Sequence, residues 1–277
     1  RGLGDVYKRQ APGGPAHNDR MDTARLAIYD HYVYATVALL GTAFAAWAIW
    51  RLLAAPRWRA QVLSLAGVVP PFLNILGVLF GLTLAFIAND TWSAHDRAMS
   101  AVYREADGLR TLDALARTLP EPQQASLRTA VRGHAAATAA EWQQLAQRST
   151  SPAAQQSADQ LLSLVASPTM AQAAGSSVHS LMLGTVAHLR DDRDLRIALS
   201  QMHVNPLKWM GMAFLGLLTL VSIAVVHVEH QRAAATALVL FAVAAAPTAA
   251  IVLMQGNPFQ SPSFVSPAPC LLYTSDA

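Results

Sequence analysis

Four long uncharged segments interrupt the chain. They cover residues 32–50, 62–88, 209–226 and 233–254, and contain 19, 27, 18 and 22 residues. About 20 consecutive apolar residues are needed to cross the hydrocarbon core of a bilayer as a helix. Alanine, leucine and valine fill these segments without the alternation of a β-strand, so each is predicted to be a transmembrane helix. Pro70 and Pro71 place the start of the second helix near residue 70, because proline is tolerated in the first helical turn and disfavoured inside a helix.

The segment between the second and third spans, residues 89–205, is polar and charge-balanced, with 10 Arg and 11 acidic residues. Apolar residues recur there at helical spacing. No helix breaker separates the second span from the first apolar stripe, so this helix is predicted to leave the membrane as one rod that ends near Leu119. Ser151-Pro152 and Ser167-Pro168 each indicate a helix start, with serine as N-cap and proline in the first turn. The predicted stripes are Ala98, Val102, Ala106, Leu109, Leu112, Leu115 and Leu119; Leu127, Val131, His134, Thr138, Trp142 and Leu145; and Val178, Leu181, Val186 and Leu189.

These elements predict an all-α, multi-pass membrane protein with four transmembrane helices and a soluble helical domain between spans 2 and 3. The expected divisions are an N-terminal segment (11–31), spans 1 and 2 (32–88), the soluble domain (89–205), spans 3 and 4 (206–257) and a C-terminal tail (258–269). The first span is expected to be an uncleaved anchor, because its apolar core is longer than that of a signal peptide.

Both ends of the chain carry an unusual signature. Residues 5–10 and 270–275 can be encoded by one DNA sequence read in opposite directions. An inverted repeat of this kind is typical of a sequencing adapter, so residues 1–10 and 270–277 are expected to be an adapter artefact. The single cysteine, Cys270, falls in that segment, and one cysteine excludes a disulfide framework.

Composition agrees with a membrane protein. The chain is 53% hydrophobic and only 13% charged, whereas soluble domains carry about 25% charged residues. A formal charge of +3 is too small to indicate a nucleic-acid partner. No hydrolase, phosphate-binding or metalloprotease motif is present, so we predict no enzyme, no catalytic residue and no cofactor. His227 and His230 have a spacing that could share a metal, but they are interpreted as a solvated helix end, and no metal site is predicted.

The charged residues of the soluble domain form two groups. Glu105, Asp107 and Asp113 share the rod with Arg104, Arg110 and Arg117, and residues 191–196 contain three Asp and two Arg. Both groups are interpreted as solvated helix faces with weak ion pairs, each contributing about 0.2–0.5 kcal/mol.

The second span contains the candidate functional residues of the membrane region. Gly77 and Gly81 form a small-x-x-x-small pair that lets another helix approach closely. Asn74 places an amide at membrane depth, where it either bonds to another helix or lines a water-filled path. A third group consists of Leu76, Phe80 and Leu84. These side chains would form an apolar constriction if several subunits brought this face together, but they would equally well be part of the hydrophobic core.

Several short motifs together resemble the bacterial bestrophin-like domain family over about residues 62–269. They are residues 77–82, Trp92-x-x-x-Asp96, residues 101–106 with Arg104 and Glu105, residues 119–122, Glu141-Trp142, Pro258-Phe259 and residues 265–269. The resemblance implies four spans with a helical domain between spans 2 and 3, and a location in the bacterial inner membrane. By analogy with bestrophins, it also implies an oligomeric ion channel that conducts an inorganic anion.

Two functions are therefore considered, a preferred one and an alternative. The first is a homo-oligomer in the lipid bilayer that conducts an ion, with second spans around the pathway. The alternative is a non-conducting anchor or sensor whose helical domain binds a partner through the Trp142 face. Arg51, Arg57 and Arg59 in one short loop and Arg232 in the other favour a periplasmic domain, whereas the bestrophin resemblance favours a cytosolic one.

Overall fold

The computed structural model describes residues 17–65, 69–202, 206–261 and 263–271, and within these ranges it contains helices and no strand. The elements in chain order are α1 (His17–Ala54), α2 (Pro56–Leu65), α3 (Pro70–Ala116), α4 (Gln123–Ala146), α5 (Pro152–Val165), α6 (Pro168–Gln201), α7 (Pro206–Val226), α8 (Gln231–Met254) and α9 (Ala268–Leu271).

The four predicted transmembrane helices are confirmed. Tyr32–Leu53 within α1, the apolar first part of α3, α7 and α8 are each long and apolar enough to cross a membrane. In the bundle, α1 packs mainly on α8, and α3 packs on α7. Most large side chains on these helices point outward, as in Val243, Leu240 and Phe214, which are at least 59% exposed. In a bilayer this outer surface is covered by lipid.

The helix α3 is the longest element and joins the two halves of the molecule. Its 47 residues measure about 70 Å, whereas the hydrocarbon core of a bilayer is about 30 Å thick. It starts at Pro70 as predicted and continues past residue 88 without a break, so its second half stands outside the membrane. The predicted rod is therefore confirmed, and it ends three residues before the expected Leu119.

The second half of α3 forms a helical bundle with α4, α5 and α6. Ser151 accepts a hydrogen bond from the amide of Ala154, and Ser167 accepts one from Met170, so both predicted serine caps are confirmed. The predicted α4 stripe is buried throughout. Two stripe assignments were wrong by one residue, because Ala116 and Met182 are fully buried where Leu115 and Leu181 had been expected.

The chain after α8 returns to the soluble domain. Phe259, Val265 and Cys270 are buried in the core of the bundle, and the Cys270 thiol lies 3.9 Å from the carbonyl oxygen of Val102. Cys270, which lies in α9, is therefore part of the packed structure. The adapter origin of residues 270–277 stays a prediction, and residues 272–277 lie outside the described residues.

Two glycines of the bundle provide a matched test of its packing. A Cβ added at Gly133 would meet no atom within 4 Å, whereas one at Gly108 would lie 3.0 Å from Cδ2 of Leu189. Gly133→Ala is expected to raise the free energy of unfolding by about 0.5–1 kcal/mol, because alanine loses less backbone entropy in a helix. Gly108→Ala should be the less stable of the two, because Leu189 must move. Denaturant unfolding of the detergent-solubilised protein measures both, and equal stabilisation would contradict the packing of α3 on α6.

Candidate functional site

One face of the second span belongs to the core of the protomer. Phe80 and Leu84 are buried against α7 and α8, and the Phe80 ring centroid lies 5.4 Å from that of Phe241. Leu76 is half-buried on the same side of α3. The two interpretations of this group were a constriction between subunits and the hydrophobic core. Phe80 and Leu84 belong to the hydrophobic core of the protomer.

The face of the second span next to this group carries Asn74, Gly77 and Gly81 and makes no close contact with another described helix, although Gly77 is half-buried. Asn74 and Gly81 are exposed, and Val78 between them is 68% exposed. A Cβ added at Gly77 or Gly81 would meet no atom within 4 Å, so no described helix makes the close approach that the glycine pair permits. This face carries an amide and two glycines where lipid-facing helices normally carry large apolar side chains.

A ring of polar contacts fixes the junction between the membrane helices and the soluble domain. The Trp92 indole N–H donates to Oε1 of Gln255 at 2.8 Å. Nζ of Lys208 lies 2.6 Å from the Asp90 carboxylate. The buried Asn257 amide donates to the carbonyls of Leu145 and Ala146, which are among the last carbonyls of α4. Among the motif residues of this region, Trp92 therefore connects α3 to the end of α8, whereas Asp96 is exposed.

The core of the soluble domain contains a cluster of ionised side chains, in which Arg196 and Glu105 form the central pair. Both side chains are fully buried, Nε of Arg196 lies 2.8 Å from Oε2 of Glu105, and Nη2 donates to Oε1 at 3.0 Å. The pair joins α6 to the rod α3. A second carboxylate, Glu141 on α4, lies 4.0 Å from Arg196.

Glu141 is held mainly by Arg193, one helical turn before Arg196. Nη2 of Arg193 lies 2.7 Å from Oε1 of Glu141, and Nε donates to Oε2 at 3.2 Å, so the pair is bidentate. Glu141 also accepts from the amide of Ser151 at 3.0 Å, and Arg193 donates to Gln155. The carboxylate therefore connects α4, α5 and α6.

Trp142 links this cluster to the C-terminal tail. The guanidinium of Arg196 lies 4.7 Å from the Trp142 ring centroid, which is a cation–π contact. The Trp142 indole N–H donates to the carbonyl of Val265 at 2.7 Å, and Phe259 meets the ring edge-on at 5.8 Å. Trp142 is only 3% exposed, so the expectation that its face binds a partner was wrong. The ring is already covered by residues of the same chain.

Arg104 has a different environment from its neighbour Glu105. Its side chain is 56% exposed, and Nη2 lies 2.7 Å from Oδ1 of Asp192. The motif residues Arg104, Glu105, Glu141 and Trp142 thus come together around α6. Of these, Arg104 lies at the edge of the cluster and the other three lie inside it.

The interpretation of the two charged groups of the soluble domain as solvated helix faces was partly wrong. Asp113 does pair with Arg117 at 3.1 Å on a partly exposed face, as expected for an i, i+4 pair. Glu105, Asp192, Arg193 and Arg196 are buried instead, each at most 6% exposed. A signal for this was available, because residues 193, 196 and 200 continue the three- and four-residue spacing of the Val186–Leu189 stripe.

His134 lies beside the central pair and is neutral at pH 7. Burial, with the positive charges of Arg196 and Arg193, lowers its pKa to about 4. The Ser157 hydroxyl donates to the Ala154 carbonyl at 2.8 Å and therefore accepts from Nδ1–H of His134 at 2.9 Å. Nε2 then lies without its proton 4.0 Å from Glu105. Burial raises the pKa of the Glu105 carboxyl, and the charge of Arg196 opposes this in part.

No metal-binding constellation emerges from this geometry. In the part of the chain that the structure describes, no three His, Cys, Asp or Glu side chains are grouped closely enough to hold a metal ion. What the cluster provides chemically is a rigid ionic connection between α3, α4 and α6.

These features define a class: a multi-pass, all-α membrane protein whose second span continues into a helical domain and is fixed there by buried ion pairs. The family model of the Bestrophin-like domain matches residues 37–270, and the chain belongs to this family. The match covers the first span from residue 37 onward, the other three spans, the soluble domain and the tail up to Cys270. Comparisons with curated proteins and with solved structures found no match.

Replacing Arg196 tests the central pair. Arg196→Met is expected to lower the free energy of unfolding by about 3–5 kcal/mol, because Glu105 is left buried without its counter-charge. Adding Glu105→Gln should restore part of the loss. Arg190→Met is the matched control, since Arg190 pairs with Asp159 at 3.0 Å on the surface and should contribute less than about 1 kcal/mol. A loss for Arg196→Met as small as that of the control would contradict the assignment.

His134 predicts a specific pH dependence. In the unfolded chain a histidine takes up its proton near pH 6.5, whereas in the native domain His134 takes it up only near pH 4. Acidification through this window therefore favours unfolding, by up to about 3 kcal/mol. The raised pKa of Glu105 acts in the opposite direction in every variant that keeps Glu105.

The measurement compares wild type with His134→Asn, which does not titrate. Unfolding midpoints between pH 4.5 and 7 should fall more steeply with acid in the wild type. Parallel pH profiles for the two proteins would show that His134 is not neutral and buried in the native state.

Proposed function

We propose that the chain forms a homo-oligomer in the bacterial inner membrane, in which the unpacked faces of the second spans surround a pathway for an inorganic anion. The observation that carries this proposal is the face formed by Asn74, Gly77 and Gly81, on which Asn74 and Gly81 are exposed and a Cβ added at either glycine would meet no atom within 4 Å. In this arrangement Asn74 supplies a polar group to the pathway, and the glycines allow neighbouring helices to approach closely. The choice of an anion rests on the similarity of the family to bestrophins.

The soluble domain contributes to the proposal through α3. The same continuous helix carries Asn74 in the membrane and Glu105 in the buried ionic cluster. A rotation or tilt of the domain would therefore be transmitted to the second span without an intervening hinge. We assign to Glu105, Arg196 and Glu141 the positioning of the rod, and not contact with the ion.

A second candidate is the non-conducting scaffold or sensor. The observation in its favour is a groove beside the rod, in which Tyr103 and Phe264 are 60% and 53% exposed. The two candidates differ in subunit number and in flux. A scaffold would remain a monomer or dimer and would conduct nothing, whereas a pathway between second spans needs a closed ring.

The test uses the full chain in liposomes and one glycine change at two positions. Gly81→Trp is expected to abolish chloride flux or to break the oligomer, because the large ring occupies the proposed contact face. Gly211→Trp is the matched control on α7, where a Cβ would also meet no atom within 4 Å, and it should retain flux. Native mass spectrometry gives the subunit number. A monomeric or dimeric wild type without chloride flux would contradict the proposal and leave the scaffold.

The side of the membrane on which the domain lies is a separate proposal. Following the arginine distribution of the short loops, we place residues 89–205 in the periplasm. A reporter that is active only after export, fused after residue 150, should be active. A reporter active only in the cytosol would reverse the orientation without affecting the proposed pathway.

A further inference from the structure

The end of the membrane bundle that faces away from the soluble domain carries an unbalanced positive charge. The chain passes through this end twice, in residues 51–69 between the first and second spans and in residues 227–232 between the third and fourth. These two segments contain four arginines and one acidic residue, Glu229, which gives a formal charge of +3 with histidine neutral. The soluble domain, in contrast, is charge-balanced. This end of the bundle therefore attracts anions.

Three of the arginines come from different helices and lie at the same end of the bundle. Arg51 is in the last turn of α1, Arg57 is the second residue of α2, and Arg232 is the second residue of α8. The end of α1 lies beside the start of α8, since Ile49 and Leu238 belong to one hydrophobic cluster. All three arginines are exposed. Among the side chains that the structure describes, none of the three is paired with a carboxylate.

The helix α2 lies across the end of the bundle. Pro56 lacks the N–H that would continue the hydrogen bonding of α1, so the chain leaves the axis of α1 at Ala55. The ten residues of α2 then contact α7 as well as α1. Leu63 on α2 is 40% exposed, and Leu52, next to Arg51, is 58% exposed. Large apolar side chains exposed beside arginines are typical of a surface that meets the boundary of a bilayer.

The arginines lie at the level of the lipid headgroups. The first span ends at Leu53, so Arg51 is within one helical turn of the hydrocarbon boundary. The fourth span begins at Gln231, which places Arg232 at the same boundary. In a bilayer the anion within reach of a guanidinium at this depth is a lipid phosphate. A free phosphate would cover no apolar surface, whereas the acyl chains of a lipid also cover the exposed leucines.

We propose that Arg51, Arg57 and Arg232 bind the headgroup of an anionic phospholipid in the leaflet opposite the soluble domain, and that α2 lies in the plane of that leaflet. Arginine offers pairs of N–H donors that match phosphate oxygens. With the soluble domain in the periplasm, this is the cytoplasmic leaflet, whose anionic lipids give it a negative surface potential. The site uses none of the residues that surround the proposed pathway.

Native mass spectrometry of the delipidated full chain measures the lipid preference. The protein is titrated with dioleoyl phosphatidylglycerol or dioleoyl phosphatidylcholine, which have the same acyl chains and differ in headgroup charge. The wild type should bind phosphatidylglycerol more tightly. Each of Arg51→Gln, Arg57→Gln and Arg232→Gln should lower that affinity by about fivefold, because a basic side chain at an anionic lipid surface contributes about this factor. The double variant Arg51→Gln/Arg57→Gln should lose most of the preference.

Lys208→Gln is the matched control at the other boundary of the membrane. Lys208 lies near the start of α7, on the side of the soluble domain, and its Nζ is already 2.6 Å from the Asp90 carboxylate. This variant removes the same charge and should keep the preference of the wild type. Thermal unfolding checks that each variant is folded, and every replaced side chain is exposed.

A fluorescent label tests the position of α2 independently of the arginines. Cys270 is buried, and burial raises the pKa of its thiol to about 12, so a maleimide dye reacts with an introduced cysteine instead. A label at Leu63→Cys should be quenched by phosphatidylcholine that carries bromine on its acyl chains. A label at Ser126→Cys, on an exposed position of the soluble domain, should not be quenched.

Several outcomes would overturn the proposal. Equal binding of the two lipids by the wild type, or an unchanged preference in the double variant, would remove the headgroup site. Displacement of phosphatidylglycerol by glycerol phosphate would assign the arginines to a soluble anion, and an unquenched label on α2 would place this helix in water. Chloride flux of the same variants is recorded separately. Lost flux with an unchanged lipid preference would assign the arginines to the pathway, whereas a wild type without flux would contradict only the proposed pathway.

Discussion

The arrangement of the soluble domain depends on one buried guanidinium. Arg196 lies between Glu105 on α3, Glu141 on α4 and the ring of Trp142, and its side chain is fully buried. Removing such a charge from water costs several kcal/mol, which is recovered only when the partners are correctly placed. A packing of α3, α4 and α6 that separated these residues would leave at least one buried charge without its partner. The cluster therefore disfavours such arrangements.

This constraint extends to the membrane because α3 is continuous. The 47 residues of α3 contain no proline after Pro71 and form one uninterrupted helix, so α3 behaves as one stiff element over its whole length. The polar contacts at the junction, Trp92 with Gln255 and Asp90 with Lys208, connect it to the ends of α8 and α7. The position of the second span is thus determined from both ends, by the membrane bundle and by the ionic cluster.

The tail provides a third connection. After α8 the chain places Asn257 under the end of α4, Phe259 against Trp142, and Val265 over the indole nitrogen. The fourth span and the soluble domain are therefore packed together and not merely adjacent in sequence. An apolar cavity lined by α1, α7 and α8 lies beside this connection, and Asn257 is part of its lining.

The four spans, the rod and the serine caps followed from the sequence alone, because water, lipid and the helix termini impose local requirements that composition and spacing reveal. Contacts between distant positions were decided only by the tertiary structure. Glu105 and Arg196 are 91 positions apart, so spacing along α6 could indicate that Arg196 lies on a buried face, but it could not indicate that Glu105 is its partner. For the same reason Trp142 could not be recognised as covered, since the residues that cover it belong to the tail. Local periodicity determines which residues share a helix face, but only the packing of helices determines what that face meets.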